Sequence, residues 1–171
     1  MNIPPRGVAW LKSVHLLFTS LWVGGALGVL VIQGTAAADG GLFGSDMAAR
    51  MVDDFVVIPG AIGSLLTGFL YSLLTPWGFF KHRWVAVKWL LTLYGVLFGT
   101  FFLGPWLNSL APVSARLGAG ALGDYAYMRA RDLNSFWGAV QLATLLFALT
   151  ISVLKPWRKE AKPQRDNGVR S

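Results

Sequence analysis

Of 171 residues, 54% are hydrophobic and only 13% charged, and the mean hydropathy is +0.53. A soluble domain of this size cannot hide so much apolar surface, which excludes an ordinary soluble globule and makes a lipid bilayer the expected solvent. The net charge of +7 does not point to nucleic acid, because the basic residues stand beside apolar spans, as in anchoring on an anionic leaflet; the absence of cysteine excludes disulfides, thiolate nucleophiles and iron–sulfur clusters.

The first apolar run, about Val8 to Ile32, is too long for the hydrophobic region of a signal peptide and is expected to be a permanent membrane helix. His15, Thr19, Trp22 and Ala26 share one of its faces, and Gly24 and Gly28 repeat at a spacing that lets helix backbones approach closely. Gln33 to Asp54 then reads as an outer loop. Within it, Asp46 to Asp54 lacks glycine and proline, so that a short amphipathic surface helix and a solvated loop are both open readings.

The second run, about Phe55 to Leu74, has Gly60, Ser64 and Gly68 at four-residue spacing, with Ser64, Thr67 and Tyr71 on one stripe. Pro59 lies just inside its outer end, where no kink in the middle of the bundle is expected. A polar loop from Pro76 to Trp84 carries Lys81, His82 and Arg83. The third run, about Val85 to Leu103, aligns Lys88, Thr92, Gly95 and Gly99 and ends beside Pro105. Polar groups in lipid are costly, so the stripes of both runs should face the bundle interior. A second outer loop, Leu107 to Ser135, contains the glycine- and proline-free segment Asp124 to Leu133, again a surface helix or a loop. The fourth run, about Phe136 to Leu154, leads into a basic tail over residues 155–171. No linker interrupts the chain, so the expected architecture is all-α: one domain, residues 1–171, built as a four-transmembrane-helix bundle.

Ten basic residues flank one side of this bundle: Arg6 and Lys12, Lys81 and Arg83, and six in the tail. The other side has only Arg50, Arg116, Arg129 and Arg131. The positive-inside rule then places both termini and the 76–84 loop in the cytoplasm. Trp77, Trp84, Trp106, Trp137 and Trp157 fall near predicted ends, as interfacial rings should, whereas Trp22 is mid-span.

Three residues form the shortlist for chemistry. The chain has two histidines, His15 and His82, and Lys88 is the one lysine well inside a span. His15, about seven residues into its helix, is too deep to reach water, and its ring either takes a structural hydrogen bond or serves as a ligand. Lys88 is close enough to the interface to snorkel its ammonium into headgroups; it is otherwise a site residue, about 6 Å from His15 in depth at 1.5 Å of rise per residue. The two are expected to line one cavity opening to the cytoplasm. His82, between two cations, is expected to be solvated. No phosphate-binding loop, HExxH helix, nucleophile elbow or membrane-embedded carboxylate is present in this reading.

The run Trp10-Leu-Lys-Ser-Val-His15, followed by Trp22-Val-Gly-Gly25, resembles the first helix of a group of small bacterial membrane proteins. The group comprises an uncharacterised family of four-helix integral membrane proteins, the CopD-type copper-resistance proteins and the HemJ-type protoporphyrinogen oxidases. Trp84-Val-Ala-Val-Lys88, continuing to Leu91 and Tyr94, is similar to the W-x-x-x-K-x-x-L-x-x-Y helix of the HemJ type, and Ser152-Val-Leu-Lys155-Pro156 resembles the ending of the uncharacterised family. The resemblance implies a bacterial cytoplasmic membrane protein in which His15 is the axial ligand of haem b. It also implies that Lys88 pairs with a propionate or acts catalytically in proton transfer. Trp22 shares the His15 face and joins these two as a cofactor-binding residue. Where the HemJ type has a histidine after the tyrosine, Gly95 follows Tyr94. The expectation is therefore a haem- or tetrapyrrole-binding membrane protein with a redox role. Two rivals stand beside it: a transport or metal-handling component like the CopD type, and a non-catalytic scaffold that forms homo-oligomers through its glycine faces. For copper, the four methionines, Met1, Met47, Met51 and Met128, all lie outside the spans.

Overall fold

The computed structural model describes residues 4–35, 41–74 and 83–154, and nearly all of them are helical. Helix α1 (Pro5–Thr35) opens with proline in its first turn, where the missing N–H costs nothing. Its 31 residues are about 46 Å long, more than the roughly 30 Å of a hydrocarbon core. After it come α2 (Leu42–Val52) and α3 (Ile58–Leu74), joined through a π-turn at Asp53–Val57. Next, α4 (Arg83–Phe98) and α5 (Gly104–Leu117) are joined the same way through Gly99–Leu103. A 3-10 segment, Gly118–Gly123, leads to α6 (Tyr125–Leu154). Four helical rods result, Pro5–Thr35, Leu42–Leu74, Arg83–Gly123 and Tyr125–Leu154, each long and apolar enough to cross a membrane. Leu17, Leu66, Leu90, Phe101, Phe136 and Leu146 all stand exposed on their outer faces, as a lipid solvent requires.

The expected outer loops are corrected. Residues 42–54 and 104–117 are neither loops nor separate surface helices but continuations of the spans, and residues 125–135 are the first turns of α6. Both π-turns have one local cause. Ile58 N–H bonds Asp53 O, five residues back, and the next residue, Pro59, has no N–H to give; Gly104 N–H bonds Gly99 O in the same way just before Pro105. The wide turn absorbs the proline without breaking the rod. Helix α5 ends at Gly118, whose φ of +54° is readily open only to glycine.

The extensions pack as a cap over the end of the bundle away from Pro5 and Leu154. Val29, Leu42, Ala49, Leu107, Leu110, Ala121 and Tyr127 form one buried cluster there. Arg131 ties the cap to α1 by donating Nη2 to Gln33 O at 2.6 Å, and donates Nη1 to the Tyr127 hydroxyl at 3.3 Å. Tyr127 in turn donates to Asp46 Oδ2 at 3.0 Å, and both residues are at most 2% exposed. Tyr127→Phe strands a buried carboxylate and is expected to lower stability by about 1–3 kcal/mol. Thermal unfolding in detergent measures it, and a melting temperature equal to the wild type's would mean that Asp46 does not depend on this donor.

Below the cap, α1 packs most extensively on α3, and α4 packs on α6. The close approach is at Gly60, where an added Cβ would lie 2.6 Å from Trp22 N. On α1 the contact is made by Gly25, facing Val57, instead of the expected Gly24, which has nothing within 4 Å. His82, the rest of residues 75–82 and the basic tail from 155 onward lie outside the described residues, and with them the side on which the termini fall.

Candidate functional site

Helices α1, α3, α4 and α6 line a cavity of about 230 Å³ in the half of the bundle nearer Pro5 and Leu154. His15, Lys88 and Trp22 all line it, together with Thr19, Ser64, Gly68, Tyr71 and Thr92. The α1–α3 contact is what points His15 inward, because Gly68 leaves room for the imidazole, with Cε1 3.4 Å from where a Cβ would stand. His15 Nδ1 is 2.9 Å from Thr67 Oγ1. Thr67 spends its one hydrogen on Gly63 O at 2.6 Å, so Nδ1–H is the donor in the imidazole–threonine bond. The tautomer is thereby set and Nε2 keeps its lone pair, with no partner among the described residues. Thr19 donates to His15 O at 2.8 Å, which leaves Ser64 to donate to Thr19 at 3.0 Å. These bonds stitch the two helices together behind the ring.

Lys88 is half-buried and forms no hydrogen bond or ion pair among the described residues. Helix α4 barely touches α1 and packs lightly on α3, so the lysine faces the cavity across a loosely closed seam. No group of three or more His, Asp or Glu side chains that would hold a bare metal ion exists among the described residues. The residues fit a tetrapyrrole in kind, because the macrocycle brings four nitrogens and asks the protein for one axial ligand. In size, the cavity lies below the roughly 300–1,000 Å³ of small-molecule sites.

A second and larger cavity, about 450 Å³, lies beyond Trp22 toward the cap. Both π-turns line it through Asp53, Val57, Gly99, Thr100 and Leu103, and α6 contributes Asn134 and Gln141. Trp22, 2% exposed, belongs to both cavities and forms the wall between them, its ring seated against Gly95. The reading that no carboxylate enters the bundle is corrected here: Asp53, assigned to an outer loop, is a half-buried helical residue on this wall. The signal for Asn134 and Gln141 was present, since they are amides seven residues apart on one face near and within the fourth apolar run.

Compared with known protein families, curated proteins and solved structures, the chain matches none. Its class rests on its own architecture, an all-helical bundle whose four apolar rods are compatible with a multi-pass membrane protein.

Proposed function

We propose that this is a tetrapyrrole-binding membrane protein in which His15 Nε2 ligates the iron of haem b and Lys88 pairs with a propionate. The observation that carries the reading is the locked imidazole: Thr67 holds Nδ1–H at 2.9 Å, and Nε2 is left as a base without a partner among the described residues. Ligating histidines are oriented in this way, by a hydrogen bond on the nitrogen that does not bind the metal. When bound, haem would supply the redox chemistry. The chain's own part is to hold the ring through Thr67, to present one cation and to keep water out with an apolar wall. A bare copper ion is served less well, because one imidazole leaves most of its coordination unfilled. Purified protein, as isolated and after haem is supplied, is expected to show a Soret band; its absence in both samples overturns the reading.

Within the same proposal, both termini face the cytoplasm of a bacterial inner membrane. Asp46 and Asp124 make poor reporters of sidedness because Asp46 is buried and Asp124 half-buried. Exposed Pro5 and Ala48, at opposite ends of the bundle, serve instead. Pro5→Cys is expected to react with an impermeant maleimide only after the cells are opened, and Ala48→Cys in intact cells. The reverse pattern places the His15 cavity on the opposite side. The glycines of α3 and α4 that face α1 and α6 are consumed within the chain, so a glycine-mediated homo-oligomer would use positions left open, such as Gly24, Gly34 or Gly44.

A further inference from the structure

The larger cavity has a chemistry of its own. Its wall is mostly apolar, with Val29, Leu30, Ala61, Ile62 and Val96 among the lining residues. Two of its polar side chains are amides only partly committed to backbone. Asn134 donates one Nδ2–H to Leu103 O at 2.8 Å and Gln141 one Nε2–H to Gly95 O at 2.9 Å, while Thr100 commits its single hydrogen to Val96 O at 2.8 Å. Gln141 is 5% exposed and its Oε1 is buried without a partner. The Asp53 carboxylate has no hydrogen bond or ion pair among the described residues, for the nearby Arg50 is 3.6 Å from Asp54 instead. No basic side chain lines the cavity among the described residues. An unpaired carboxylate beside apolar surface at membrane depth is costly, and a buried amide oxygen without a donor adds to that cost.

We infer that this cavity is a binding site for a small organic ammonium ion, its N–H groups donated to Asp53 and its apolar body against the wall. The occupant must donate, because the two groups left with no partner among the described residues, the Asp53 carboxylate and Gln141 Oε1, both accept. It must carry an apolar group, because the wall is apolar and the volume of about 450 Å³ falls within the range of small-molecule sites. A metal ion meets neither requirement, since only a few oxygens are available and most of the lining is hydrocarbon. The site does not depend on the haem reading, because none of its acceptors belongs to the His15 cavity.

Isothermal titration of the full-length protein in detergent with benzylammonium chloride, corrected for empty micelles, tests this. Benzylammonium is expected to bind at one site, at least tenfold more tightly than uncharged benzyl alcohol. Asp53→Asn, nearly isosteric, should weaken it at least tenfold, whereas Asp54→Asn and His15→Ala should leave it unchanged. Ala26→Leu keeps the carboxylate and fills the cavity, so it should also abolish binding, which provides a second reading should Asp53→Asn fold poorly. Equal affinity for the amine and the alcohol, or undiminished amine binding in both Asp53→Asn and Ala26→Leu, overturns the inference.

Discussion

His15→Ala is expected to abolish the Soret band of haem-supplied protein while the bundle still assembles. The ring fills a recess over Gly68 and makes one side-chain hydrogen bond, to Thr67. Thr67 keeps its own bond to Gly63 O when the ring is removed, so no buried donor is stranded and the α1–α3 seam remains closed. The loss of fold stability should therefore be modest, about 1 kcal/mol for one hydrogen bond, whereas the loss of an axial ligand is all or nothing. Lys88→Met retains the apolar stem and removes the charge, and should weaken haem affinity without erasing the band. A Soret band of full intensity in His15→Ala would assign the imidazole a purely structural place between α1 and α3.

Gly60→Leu is expected to have the largest effect on the fold. A Cβ there would stand 2.6 Å from Trp22 N and 3.0 Å from Trp22 Cα, and backbone cannot swing aside as a side-chain tip can. The two helices must separate, which opens the principal packing seam and displaces Trp22 from its seat against Gly95. Overpacking of this kind costs about 1–3 kcal/mol in a core that can adjust, and this seam, backbone against backbone, belongs at or above the upper end. Gly24→Leu, on the same pair of helices but with nothing within 4 Å, should leave the melting temperature within a degree or two. Equal destabilisation by the two would show that the α1–α3 seam does not govern stability.

These contrasts mark what was legible in the residues. Four apolar runs announce four rods because lipid selects for length and hydropathy, and neither depends on knowing the neighbours. The partner face of each rod was less legible. Of the glycines at positions 24 and 28, Gly28 faces Val52 but Gly24 faces nothing within 4 Å, and the tight contact is Gly25 on Val57, because spacing alone does not say which side of a helix a neighbour occupies. A helix was one open reading for Asp46 to Asp54; what was not legible is that residues 42–54 and 104–117 continue the spans instead of lying apart from them. What keeps them helical is burial of Leu42, Ala49, Leu107 and Leu110 against one another, a long-range fact. Asp53 was misplaced for the same reason: once α2 and α3 are one rod, a loop aspartate becomes a wall residue. The convergence of His15, Lys88 and Trp22 on one void was anticipated from depth and helical face. Thr67, which sets the tautomer, was visible only as a member of a polar stripe.

Trp22 gives the bundle an electrical character. Between the void at one end and the void at the other stands a single indole, so over part of its depth the low-dielectric barrier to charge movement is about one side chain thick. Both voids are lined mostly by apolar side chains, and Trp22 is the single side chain that keeps them from forming one continuous passage.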